Sequence, residues 1–127
     1  MPTNVKDLLA AANDEVPRIS PDDARKMVAD QDAVIVDVRD VPELQASGKI
    51  PGSVHIPRGM LEFRADAETQ YHDTNLSKGR PIILHCASGG RSALSGQTLK
   101  NMGYRNVYNL GGFKDWVEAG GEVEKIK

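Results

Sequence analysis

Three short apolar runs, spaced by segments with helical periodicity, organise this chain. Asp32-Ala-Val-Ile-Val-Asp-Val38 is a continuous β-branched run, as expected of a strand buried on both faces. Pro81-Ile-Ile-Leu-His85 reads as a second buried strand and Asn106-Val-Tyr-Asn-Leu110 as a third. The turn residues of Lys49–Pro57 lead into one more short strand. Between these runs the apolar residues move to helical spacing. Val5, Leu8, Leu9 and Ala12 predict a short amphipathic helix over 3–13, an addition lying against the domain. Arg18-Ile19 is a short extended piece. Ser20-Pro21-Asp22-Asp23 then supplies an N-cap, a proline at the first helical position and acids in the first turn of a helix running to about Ala29. Val41–Ala46 reads as a short helix ended by Ser47-Gly48. Met60–Phe63 has helical character, and Asp73–Gly79 reads as loop. Arg91–Asn101 carries Leu94 and Leu99 on a helix closed by Met102-Gly103. Gly111-Gly112 is expected to turn the chain into a last helix, Phe113–Val117, before a polar tail.

Strands alternating with helices predict an α/β fold with a mostly parallel sheet and helices on both faces. Ligands of such sheets sit beyond the carboxyl ends of the strands. Composition narrows the partners. The 127 residues make one domain, and 39% hydrophobic with 27% charged content is ordinary for a globular protein. A net charge of −2 gives no global attraction to nucleic acid or anionic lipid. No run reaches the roughly 20 apolar residues of a membrane span. The first residues lack a basic start and an apolar middle, so a cytoplasmic protein is expected. One cysteine cannot form an internal disulfide, and His55, His72 and His85 have no metal-like spacing around it, so no metal is expected.

That cysteine, Cys86, follows the second buried strand. It opens the sequence Cys86-Ala-Ser-Gly-Gly-Arg91-Ser92, after which a helix begins. The bland reading is a small buried hydrophobe. Its context argues for a reactive thiol. Small residues let the backbone fold around the sulfur, glycine permits positive φ, and a helix N-terminus with Arg91 lowers a thiol pKa. Four residues separate Cys86 from Arg91. Phosphotyrosine-type phosphatases have five, so the shorter loop favours a smaller group on the sulfur. Arg91 has two candidate roles: binding an anion, or pairing inward with a carboxylate to hold the loop. Ser92 is expected to cap the following helix. Arg58, after His55-Ile-Pro57, is a candidate cation at the pocket rim. Asp37 and Arg39, with Glu43 nearby, read as a structural ion pair. His85 points to the opposite face from Cys86 and reads as a packed histidine, not a base. Phe113 and Trp116 belong to the core.

Four pieces in order make the chain resemble the rhodanese family of sulfurtransferases in its single-domain form. They are Val36-Asp-Val-Arg39 with Glu43, Gly48-Lys-Ile-Pro-Gly-Ser53, Cys86-Ala-Ser-Gly-Gly-Arg-Ser92, and Gly111-Gly-Phe-Lys-Asp-Trp116. The resemblance covers about residues 17–120. Lys49 stands where the family often has histidine. Residues 1–16 form a helical extension outside the pattern, and 17–127 the domain. The resemblance implies a five-stranded, mostly parallel sheet and a persulfide mechanism. The Cys86 thiolate takes the outer sulfur of a small anionic donor such as thiosulfate. The amides of Ala87, Ser88, Gly89, Gly90, Arg91 and Ser92 hold the product. Cyanide, a thiol or a protein thiol then accepts the sulfur. No metal or organic cofactor is implied. The alternatives are a non-catalytic binding module on the same fold, and a phosphatase or arsenate reductase.

Overall fold

The computed structural model describes residues 2–126. Its elements in chain order are α1 (Val5–Glu15), α2 (Pro21–Gln31), β1 (Val34–Asp37), α3 (Val41–Ser47), β2 (Val54–His55), a 3-10 turn (Arg58–Met60), α4 (Leu61–Ala65), β3 (Ile82–Cys86), α5 (Gly90–Asn101), β4 (Val107–Gly112) and α6 (Phe113–Glu118). The strands form one parallel sheet in the order β2-β1-β3-β4. Every connection therefore crosses over through a helix or a long segment.

The fold is the α/β class that the alternation predicts, with four strands in place of five. The missing strand is the Arg18-Ile19 piece. It meets β4 at a single parallel bridge, Arg18 opposite Asn109. The Ile19 amide donates to the Asn109 carbonyl at 3.1 Å, and the Asn109 amide donates to Pro17 at 2.9 Å. Pro17 has no N–H to extend the ladder, and Ser20 is already the N-cap of α2, its hydroxyl accepting from the Asp23 amide. Proline on one side and a helix cap on the other leave room for one bridge only.

Period two within the strands sorts the core onto two faces. Val34, Val36, Ile82, Leu84 and Cys86 join Leu61, Leu99 and Tyr104 beneath α4 and α5. Ile35 and Ile83 join Ala24, Phe113 and Trp116 beneath α2 and α6. Helix α1 packs outside α5. Its Ala12 is fully buried, whereas Val5 and Leu8 on the predicted apolar stripe stay exposed. The polar tail doubles back on the domain: Lys49 and Glu124 exchange backbone hydrogen bonds of 2.9 and 2.8 Å. Beside β3 the ladder slips, so that Leu84 faces Asn109 but His85 faces Gly111. Gly111 takes φ +98 at this slip. The predicted Gly111-Gly112 turn is thus the bulged end of β4, and it lies against the segment after Cys86. No helix among the described residues is long and apolar enough to cross a membrane.

Candidate active site

Cys86 is the last residue of β3, at the carboxyl edge of the sheet. The chain then closes a tight loop and enters α5. Gly89 takes φ +102 at the N-cap, a conformation that favours glycine, and this turns its amide inward. The Gly89 N–H donates to the Cys86 sulfur at 3.0 Å, and the Ser92 hydroxyl lies 3.4 Å from it. Cys86 is 1% exposed, and burial pushes its thiol up. The hydrogen bonds of the Ser92 hydroxyl and of the Ser92, Gly89 and Ser88 amides outweigh burial. The pKa falls below the ordinary thiol value. The loop is therefore built for a negative charge on sulfur.

Ser92 is not the helix cap expected of it. Gly89 holds that position, and Ser92 is buried in the first turn with its hydroxyl donating to Asn109 Oδ1 at 2.7 Å. Asn109 gathers the neighbourhood. Its Oδ1 also accepts from the Gly111 amide at 2.8 Å, and its Nδ2 donates to the Gly89 carbonyl at 3.2 Å. Sequence reasoning missed Asn109. The available signal was a polar residue in the middle of an apolar strand, where burial demands partners.

Arg91 takes the inward role. Its guanidinium donates to both Glu43 oxygens, at 2.6 and 2.8 Å, a bidentate pair joining the start of α5 to α3. The hydrogen bond from Arg91 holds the Glu43 carboxyl down at about 2, and the same bond to Glu43 raises Arg91. Arg39 does not share Glu43. It is buried, donating to both Asp37 oxygens and to the Gly48 carbonyl, with its guanidinium 4.3 Å from the centre of the Phe113 ring. Arg58 is held by Glu62 at 2.9 Å and Thr98 at 3.2 Å. Thr98 stands two turns into α5, about 12 Å beyond its N-terminus. The Arg58 guanidinium thus lies along the helix flank, not at the loop. His85 is buried on the opposite face, stacked on Phe113.

Beside the loop runs a groove of about 330 Å³, lined by Ala46, Ala87 and Phe113 with Arg39, Glu43, Ser47 and Lys114. No cluster of three or more His, Cys, Asp or Glu that could hold a metal occurs among the described residues.

The chain that carries this loop has counterparts among known proteins. The rhodanese-like domain family model matches residues 20–119. The thiosulfate sulfurtransferase GlpE of Stutzerimonas stutzeri (strain A1501) is 38% identical over 101 residues, 78% of this chain and 83% of that protein. YrkF of Bacillus subtilis (strain 168) is 35% identical over 104 residues, and the match spans 80% of this chain but only 51% of that protein. Among solved structures, a protein of unknown function and possible tyrosine phosphatase from Rhodopseudomonas palustris CGA009 superposes with a TM-score of 0.89 at 37% identity, covering 98% of this chain and 96% of that one. The chain belongs to the rhodanese-like domain family.

Proposed function

We propose that the protein is a sulfurtransferase working through a persulfide on Cys86. The observation that carries this reading is the sulfur itself, which receives the Gly89 amide and lies 3.4 Å from the Ser92 hydroxyl at the base of a six-residue loop. The Cys86 thiolate attacks the outer sulfur of thiosulfate. An Sγ–S bond forms, the S–S bond of the donor breaks, and sulfite leaves with the electron pair. The persulfide keeps one negative charge, which the loop amides stabilise as they stabilise the thiolate. Cyanide or a thiolate acceptor then attacks the outer sulfur, releasing thiocyanate or a new persulfide and restoring Cys86. The similarity to GlpE supports thiosulfate as donor.

Purified protein treated with thiosulfate should gain the mass of one sulfur atom at Cys86, and cyanide should remove it as thiocyanate. Cys86→Ser should show neither. A wild-type protein that takes up no sulfur would sink this reading in favour of a binding module. The similar Rhodopseudomonas palustris protein is a possible tyrosine phosphatase. The six-residue loop argues against that chemistry, and steady release of phosphate from an aryl phosphate through Cys86 would establish it instead.

A further inference from the structure

A thiolate attacking thiosulfate brings a single negative charge against a double one, so the encounter needs a cation near the loop. Three arginines of this region are already committed. Arg91 is paired with Glu43 through both of its oxygens, Arg39 is buried with Asp37, and Arg58 is held by Glu62 and Thr98. A fourth comes from a distant part of the sequence. Arg18 is fixed by its single bridge to Asn109, and its side chain runs past the bulged end of β4 to the catalytic loop. A Cβ on Gly89 would lie 3.4 and 3.5 Å from the two guanidinium nitrogens, and a Cβ on Gly111 would overlap the group. Neither residue has one, so the guanidinium rests against bare backbone. Gly89 is also the residue whose amide reaches the sulfur, and chaining these separations puts Arg18 within about 9 Å of it. That is close to one Debye length at physiological salt. Arg18 is only weakly paired there. Among the described residues its acidic partner is Asp115, through a single 3.5 Å contact, and both side chains are more than half exposed.

We infer that Arg18 determines donor specificity by placing an open positive charge beside the loop for a doubly anionic sulfur donor. This rests on the persulfide reading above and adds to it both a residue and a charge class. Thiosulfate, with two charges, gains more from Arg18 than a monoanionic thiosulfonate such as methanethiosulfonate does. Arg18 touches the loop and not the reacting sulfur, so it acts on donor capture while the transfer step proceeds as before.

The experiment is steady-state kinetics of Arg18→Gln and Arg18→Lys with both donors, cyanide as acceptor, across ionic strength. Arg18→Gln should raise KM for thiosulfate about tenfold and for methanethiosulfonate about threefold, with kcat nearly unchanged. Arg18→Lys should recover most of the loss. The fall of kcat/KM with added salt should be shallower in Arg18→Gln than in wild type. Asp115→Asn, which keeps an acceptor for the Gly112 amide that Asp115 now receives, should lower KM for thiosulfate. Equal KM changes for the two donors, or a loss confined to kcat that lysine does not rescue, would overturn the inference. A wild-type protein loaded by thiosulfate alongside an indifferent Arg18→Gln would refute Arg18 alone. A wild type that is never loaded would refute the persulfide reading itself.

Discussion

The Ser92 hydroxyl hydrogen has two places to go. With Cys86 protonated it points to Asn109 Oδ1, 2.7 Å away. Once the thiol loses its proton, the sulfur 3.4 Å away becomes the stronger acceptor, and the hydroxyl can rotate to it. Asn109 Oδ1 still keeps the Gly111 amide, so the rotation leaves no buried acceptor empty. Among the groups that lower the Cys86 pKa, the Ser92 hydroxyl acts most strongly. Ser92→Ala should therefore raise that pKa by about one to two units, the scale of one hydrogen bond to a charged group. The pH profile of iodoacetamide alkylation at Cys86 reads it directly, and an unmoved profile would leave the backbone amides as the whole cause. Much of this residue-scale chemistry was legible because Cys86 to Ser92 is contiguous. The loop length, the small residues and the helix that follows can all be counted along one stretch of chain. Asn109 and Arg18 were not legible, because Asn109 reaches the loop only through the pairing of β4 with β3, and Arg18 only through its bridge to Asn109. Arg58 misled for the same reason. Its place after β2 suggested the rim, but the direction of its side chain is decided by Glu62 and Thr98.

Elements hold the loop from two sides. On one, the Glu43–Arg91 pair ties α3 to the first turn of α5. On the other, the end of β4 presses against the loop itself. A Cβ on Gly112 would stand 2.5 Å from the Ala87 carbonyl oxygen and 3.2 Å from the Ser88 Cα. Gly112 has φ −95, which any residue adopts, so only close approach requires glycine there. Gly112→Ala should thus fold with the same sheet and displace the Ala87-Ser88 backbone. A shift of this size misplaces the amides around the sulfur and should lower kcat for sulfur transfer about tenfold or more. Circular dichroism together with transfer kinetics separates this outcome from unfolding. Retained activity would show that the loop yields freely. The element pattern shows where sequence reasoning reaches. Apolar runs rich in β-branched residues, such as Ala33–Val36 and Ile82–Leu84, announce buried strands, and Ser20-Pro21 announces a helix start, because these signals are local. Gly111-Gly112 reads equally as a turn or as a strand end that must pass close to another backbone, and only the neighbouring loop decides between them. The stretch from Glu68 to Gly79 has no periodicity to read. It is a run of turns pinned by single contacts, such as the Asp73 amide to the Arg64 carbonyl.

At the scale of the whole molecule, β1 and β3 separate two cores and carry charge between them. On the α6 side, Asp37, Arg39 and His85 lie side by side under Phe113, all at most 2% exposed. Asp37 is satisfied by the Arg39 guanidinium and backbone amide. His85 is not satisfied: neither ring nitrogen has a hydrogen-bond partner among the described residues, and Nε2 stays 3.6 Å from Asp37 Oδ2. Burial dominates there and pushes the His85 pKa below 6.5, although Asp37 pulls it up. The folded protein therefore holds a neutral imidazole where the unfolded chain takes up a proton as pH falls below 6.5. His85 stability is complete above that value and is lost as pH drops toward the folded pKa, by about 1.4 kcal/mol per pH unit for one proton. Asp37 and Glu43 follow the same sign in a lower window. Their carboxyls are held below ordinary values of 3.8 and 4.5, so their contribution is lost only in stronger acid. Among His85 and these two carboxyls, the interval between pH 6.5 and 4.5 is thus governed by His85. Urea unfolding across that interval should show stability falling with acid in the wild type. In His85→Phe, which keeps the stack on Phe113 and leaves Asp37 to Arg39, the slope should flatten even if overall stability changes. Parallel slopes in the two proteins would mean that His85 becomes protonated in place and that Asp37, not burial, governs its charge.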